Sequence, residues 1–276
     1  MKQIISIAHS PDSDDLCMFW ALRHGIVSDT EFDFCINSFN TDILNSFALT
    51  SSHDVIAISA ALYPQIENNY NILPHGASFA RSYGPKLLSK NYSTLESLQT
   101  KKISIPGFTT TSCALLRMIL PEAELIEIPI EPHEKVFAAI CNNEVDAGLI
   151  IHEGQVTYKD YGLDLICDLG LWWGNTYNTP LPLGINVISN SLDPQITDKV
   201  SKLIQQSIIW GIDNRELIAD ELLADARNRN VKNFTRQSLL KYLSMYANDD
   251  TKQTSAELDN ALLCFFKNLK SQNEKA

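Results

Sequence analysis

His152 and Glu153 close the stretch Val145-Asp-Ala-Gly-Leu-Ile-Ile-His-Glu-Gly154, where an apolar run stops abruptly at two titratable side chains. An imidazole exchanges protons near neutral pH, and a carboxylate beside it orients or charges it, which is the equipment of a general base. The plainer reading is a surface histidine that ends a strand. A second cluster, His9-Ser-Pro-Asp-Ser-Asp-Asp15, follows another apolar run in the same way. Its three aspartates fit helix capping, cation coordination or a bond to a substrate hydroxyl, and capping is the expected role of at least one. His9, at the strand end, is a candidate for substrate contact, as is Asp14. A third cluster is Thr109-Thr-Thr-Ser112 at an expected helix start. A cap needs one hydroxyl and here there are four, around free backbone N–H groups and the positive end of a helix dipole. Thr110, Thr111 and Ser112 therefore form a candidate carboxylate site. The Gly-x-x-x-x-Gly-Lys pattern is absent, which argues against a nucleoside triphosphate.

These clusters need strands to carry them. Ile4–Ala8, Glu31–Ser38, His53–Ser59, Lys101–Ile105, Ala123–Ile128, Val145–Ile151 and Asp164–Leu169 read as short strands. Helices are expected over Asn40–Leu49, from Ser59, over Ser93–Leu98, from Phe108, over Glu131–Asn142, and through most of the chain beyond Ile196. The βαβ alternation from Lys101 to Ile151 predicts a second parallel sheet, separate from that of residues 4–59. The chain is thus expected to fold as two α/β lobes facing a cleft, lobe 1 from residues 1–87 plus 188–276 and lobe 2 from residues 88–187. In open α/β sheets ligands sit at the carboxyl ends of the strands, where His152 and Ser59 fall. Small residues at Ala57, Ser59, Ala60 and Ala61 suit a close ligand approach or ordinary helix-on-sheet packing, the latter being the simpler account. Trp172-Trp173 and the Thr179-Pro-Leu-Pro-Leu-Gly184 loop fit an apolar ligand wall or core filling.

The bulk numbers agree with a soluble globular protein. Of 276 residues, 45% are hydrophobic and 20% charged, and 33 acidic residues against 22 basic ones give a net charge of −11. That charge disfavours nucleic acid or an acidic membrane surface as partners. No run reaches the roughly 18 apolar residues of a membrane helix. The first residues enter a strand directly, without a signal-peptide pattern, so a cytoplasmic location is expected. Six scattered cysteines (17, 35, 113, 141, 167 and 264) make no CxxC pair or metal-like cluster and read as reduced thiols.

Taken together, His9-Ser-Pro-Asp-Ser-Asp-Asp15, Tyr83-Gly-Pro-Lys-Leu87, Thr110-Thr111, Gly148-Leu-Ile-Ile-His-Glu153, Leu181-Pro-Leu-Gly184 and Tyr246-Ala-Asn248 resemble, in order over nearly the whole chain, the 1,4-dihydroxy-6-naphthoate synthases of the futalosine route to menaquinone. The resemblance implies a two-lobed periplasmic-binding-protein-like (type II) α/β fold with a central cleft. It implies a lyase acting on a small molecule, cyclic dehypoxanthine futalosine, without metal or organic cofactor. Residue by residue, it implies His152 as the proton acceptor, Thr111 and Ser112 as a substrate-binding helix start, and Ala57, Ile58 and Ser59 as a substrate-contacting strand end. The chain departs from the pattern in two places. Many members have Pro-Asn-Asp where Ser13-Asp14-Asp15 stands, and many have histidine in place of Thr109. The competing class is a non-catalytic solute-binding protein for a small carboxylate anion. No motif of the sequence specifies an oligomeric state.

Overall fold

The computed structural model describes residues 2–130 and 132–273. The chain runs β1 (Gln3–His9), α1 (Ser13–Met18), α2 (Trp20–Arg23), β2 (Phe32–Ser38), α3 (Thr41–Leu49), β3 (Val55–Ser59), β4 (Tyr70–Ile72), β5 (Ser78–Ala80), β6 (Lys86–Ser89), β7 (Lys102–Ile105), α4 (Thr111–Ile119) and β8 (Glu124–Glu127). It continues with α5 (Glu134–Cys141), β9 (Ala147–Ile150), α6 (Gly154–Thr157), β10 (Asp164–Asp168), α7 (Leu169–Tyr177), β11 (Leu181–Ser189) and the helices α8 (Pro194–Asp213), α9 (Arg215–Asn228), α10 (Arg236–Tyr246), α11 (Asp249–Lys252) and α12 (Ala256–Asn273). The helix expected from Glu131 is seen from Glu134, and Glu131 itself lies outside the described residues. The expected helices at Ser59 and Ser93 are short 3₁₀ turns, over Ala60–Gln65 and Glu96–Leu98. Pro64 inside the first removes a backbone donor.

Among the described residues the strands form two sheets. The first has the order β2-β1-β3-β11-β4, with β5 also paired to β11, and the second has the order β10-β6-β9-β7-β8. β1, β2 and β3 are parallel, as are β7, β8 and β9, so each lobe has the expected parallel heart. The second sheet is nonetheless mixed, because β6 pairs antiparallel with both β9 and β10. β11 likewise runs antiparallel to β3, β4 and β5. Sheet membership changes within residues 81–85 and 169–180, so the expected lobe limits at 87 and 187 fall inside β6 and β11.

β9 is buried at all four positions, which explains its unbroken apolar run. Gly148 belongs there because a Cβ would stand 2.5 Å from Ser104 Oγ and 2.9 Å from Ile140 Cδ1. The C-terminal helices serve lobe 1. Ile204, Ile208, Leu222 and Leu243 pack with Ile5, Ile7, Leu16 and Phe19 in one core, beneath the His9–Asp15 loop. Two details hold α1 in place. Gly211 lets α8 pass so close that a Cβ there would meet Cys17 O at 1.9 Å. Ser207 Oγ accepts from Leu22 N–H (3.1 Å) and donates to Met18 O (2.8 Å), spanning the break between α1 and α2. Trp173 is core rather than ligand wall: it is fully buried, edge-on to Phe265 at 5.3 Å, and its indole N–H donates to Thr179 Oγ1. No helix among the described residues is long and apolar enough to cross a membrane.

Candidate active site

The carboxyl ends of β3 and β9, the start of α4 and the loop after β1 meet at a cleft of about 730 Å³, counting its open mouth. That lies within the usual size of small-molecule sites. His152 follows β9 with φ +55°. The other described non-glycine residues with positive φ are serines and asparagines, so a histidine there stands apart. Such a conformation costs on the order of 1 kcal/mol and is characteristic of functional corners. It turns the imidazole across the cleft, where Nδ1 pairs with Asp12 Oδ2 of lobe 1 and Nε2 lies 3.2 Å from Thr41 Oγ1. Asp12 is itself held by Ser10 Oγ on Oδ1 and by the Tyr242 hydroxyl on Oδ2 (3.2 Å). Burial opposes its ionisation, but the charge and hydrogen bond of His152 outweigh burial and hold the carboxyl down at about 2. The carboxylate thus anchors the ring through Nδ1, with Nε2 carried to the cleft beside Thr41.

Glu153, the expected companion of His152, points elsewhere. Its Oε1 accepts from Ser13 N–H (2.9 Å), Ser13 Oγ (2.8 Å) and Arg229 Nη2 (2.8 Å), and its Oε2 lies 3.6 Å from His133 Nε2. The side chain is fully buried. Burial alone would raise its pKa, yet Arg229 and then His133 hold it well below the usual carboxylate range. Consecutive residues at a sharp corner send their side chains opposite ways, so the partner of His152 had to come from another segment.

The three aspartates of the first loop divide sharply. Asp12 is the charged one. Asp14 lines the cleft and accepts from the Tyr242 hydroxyl (2.7 Å), while Asp15 accepts from Ser10 N–H (2.7 Å). Burial, and then the Asp12 charge, push Asp15 up to about 8 and Asp14 well above its ordinary value. None of the three caps α1 through its side chain as expected: Asp12 holds the N-cap position but makes no side-chain bond there. His9 does not line the cleft. It is fully buried, stacked on Phe19 at 4.8 Å, with Nδ1 on Ser10 O (2.6 Å) and Nε2 accepting from Arg23. Burial, then the Arg23 charge, lower its pKa to about 4, so it braces the loop as a neutral ring.

The hydroxyl cluster at α4 splits its tasks too. Thr110 is the cap, accepting from Cys113 N–H (3.3 Å), and its hydroxyl donates to Gly107 O (2.7 Å). Thr111 Oγ1 donates to Leu183 O of β11 (2.7 Å) and accepts from Ala61 N–H (3.2 Å), a tie between the lobes. Ser112 Oγ sits 3.2 Å from Thr110 Oγ1, and all three residues line the cleft. Ala57, Ile58 and Ser59 line it from β3. Buried Asn45 donates to Ser59 Oγ (3.1 Å) and Thr109 Oγ1 (3.0 Å), joining the two edges. Sequence reasoning missed Asp12 as the partner of His152, and it missed Thr41, Gln155 and Tyr242, while Tyr246 entered only within a family motif and without a role. Thr41, Gln155 and Tyr242 lie in stretches read only for helicity or polarity, although the i+3 spacing of Gln155 from His152 put it within reach of the same corner.

A family model described as menaquinone biosynthesis matches residues 5–271. A 1,4-dihydroxy-6-naphthoate synthase from Streptomyces coelicolor is 29% identical over 215 residues, 77% of this chain and 75% of the relative. One from Thermus thermophilus is 28% identical over 226 residues, covering 82% and 80%. The crystal structure of an Archaeoglobus fulgidus protein, 34% identical, superposes with a TM-score of 0.89 over 98% of both chains. The alkanesulfonate-binding protein of Xanthomonas axonopodis, only 13% identical, superposes at 0.67 over 99% of this chain and 94% of that one, which establishes the periplasmic-binding-protein-like fold. A match across almost the whole chain, together with the two named relatives, settles the family that the sequence motifs resembled: the chain belongs to the menaquinone-biosynthesis family and is an enzyme of it.

Proposed function

We propose that the protein is a lyase that converts cyclic dehypoxanthine futalosine into 1,4-dihydroxy-6-naphthoate, with His152 as proton acceptor. The observation that carries this reading is the placement of His152: a left-handed backbone, Nδ1 on the Asp12 carboxylate and Nε2 turned to the cleft. Capture of a small carboxylate would need no such oriented base, which disfavours a purely solute-binding role. The relatives named as 1,4-dihydroxy-6-naphthoate synthases support the choice of substrate. In the reaction, Nε2 takes a proton from the bound substrate, the electron pair released drives scission of a carbon–carbon bond, and the imidazolium returns the proton to the departing fragment. Asp12 stabilises the imidazolium meanwhile. Aromatisation of the naphthoate supplies driving force, and the Thr110–Ser112 helix start holds the carboxylate. The lobes, closed over the substrate, exclude water.

Incubation of the pure protein with cyclic dehypoxanthine futalosine should release the naphthoate, detected by mass and absorbance. A His152→Asn variant should fold normally and lose turnover by roughly 10²-fold or more, the scale of general-base catalysis. Near-normal turnover by that variant sinks the assignment.

A further inference from the structure

Asn186 of β11 lines the cleft and is 1% exposed, yet neither its Oδ1 nor its Nδ2 has a hydrogen-bond partner among the described residues. A buried side-chain amide without partners is rare, because both its donor and its acceptor lose water and gain nothing in return. The local structure makes room for it deliberately. In the register of β11 with β3, Asn186 faces Ala57 and Gly184 faces Ser59. Directly opposed residues project from the same face of a sheet, so this patch of the cleft floor carries one long polar side chain among small ones. Gly76 crosses above the amide with φ +79°, and a Cβ there would come within 2.1 Å of Asn186 Nδ2. A glycine at that point serves both the backbone turn and the amide.

We infer that Asn186 is the specificity residue for the neutral, hydroxyl-bearing part of the substrate, distinct from the carboxylate site at the start of α4. An amide offers one acceptor and two donors side by side, which suits hydroxyls and disfavours an anion, since Oδ1 would face negative charge. A nucleoside stripped of its base retains such sugar hydroxyls, whereas the naphthoate product keeps the carboxylate and has shed the sugar-derived fragment. This inference rests on the lyase reading for its choice of ligand.

The test compares Asn186→Ala and Asn186→Leu with the wild-type chain. Three quantities are read: KM for cyclic dehypoxanthine futalosine, Kd for 1,4-dihydroxy-6-naphthoate by calorimetry, and Tm without ligand. The expected result is a KM raised about 10-fold or more, the scale of losing one net hydrogen bond, with product Kd within about twofold and Tm unchanged or higher in at least one variant. An amide that served packing would instead lower Tm in both. An unchanged KM overturns the inference, as do a KM and a product Kd that rise together and a Tm that falls in both variants. If the wild-type chain does not turn the substrate over, the failure belongs to the lyase reading. The same comparison is then made with calorimetric Kd values for the uncleaved substrate and decides the role of Asn186 by the same criteria.

Discussion

At the scale of single residues, the site rests on a pairing between segments 140 positions apart, Asp12 on one lobe and His152 on the other. The carboxylate anchors Nδ1 and stabilises positive charge on the ring, so changing Asp12 to a neutral amide removes that charge while keeping the shape. Asp12→Asn should lower kcat by at least about 10²-fold with a much smaller change in KM, because imidazolium stabilisation matters most in the transition state. Steady-state kinetics at several pH values check this; a kcat within a few-fold of wild type would show that Asp12 is dispensable. His152 itself was legible in the sequence from the abrupt end of an apolar run. Its partner was not. Adjacency favoured Glu153, and only the positive φ of His152 reveals that the two side chains diverge. The same limit applies to His9: the strand-end position was visible, but not that Phe19, Ser10 and Arg23 would enclose the ring.

At the scale of elements, the corner between β9 and α6 is fastened by Glu153. Its carboxylate sits on the Ser13 N–H at the first residue of α1, where the helix dipole favours negative charge, and on Arg229 just past the end of α9. The corner that aims His152 is thereby fixed to the helix that follows Asp12. Glu153→Ala should destabilise the fold by about 3–5 kcal/mol, the cost of breaking a buried ion pair from one side. Glu153→Gln, which keeps an acceptor, should cost less. Urea unfolding of both variants checks the order, and a Glu153→Ala chain as stable as the parent would remove Glu153 from this role. Strands with dense β-branched residues were placed from sequence to within a residue or two. The sequence analysis reads Trp172-Trp173 only as ligand wall or core filling and gives no helix over α7, whose two glycines lower its helix propensity. Gly170 in fact answers a close approach, since a Cβ there would stand 1.7 Å from Tyr83 O, and Asp168 caps the helix by accepting from Gly170 and Leu171 N–H groups. β11 was hidden in part by Pro180 and Pro182, which normally argue against a strand.

At the scale of the whole molecule, two sheets with parallel hearts and a cleft between them are readable from the βαβ alternation, while the antiparallel crossover strands β6 and β11 are not assignable to a lobe by pattern alone. Folding also buries titratable groups in two opposing ways, and their balance predicts how stability depends on pH. His9 and His75 are lowered by burial from 6.5 to about 4, so the stability they contribute is present above pH 6.5 and is lost as pH falls toward 4. Asp15 is raised by burial to about 8 from an unfolded value of 3.8, and Asp14 shifts the same way. Their contribution is full below pH 3.8 and is lost as pH rises through the folded value. Between pH 4 and 6.5 the two sets oppose each other; above 6.5 His9 and His75 no longer titrate in either state, while the two aspartates still do. Stability should therefore decline from pH 6.5 to 8, by up to about 1.4 kcal/mol per pH unit for each proton that the folded state retains. Asp15→Asn removes one of those protons from the balance. The variant should show a visibly shallower decline than wild type when Tm is measured at pH 5.5, 6.5 and 8 in one ionic strength. Parallel Tm profiles for the two proteins would mean that Asp15 is ionised in the fold, and that the cleft around Asp12 holds a second negative charge.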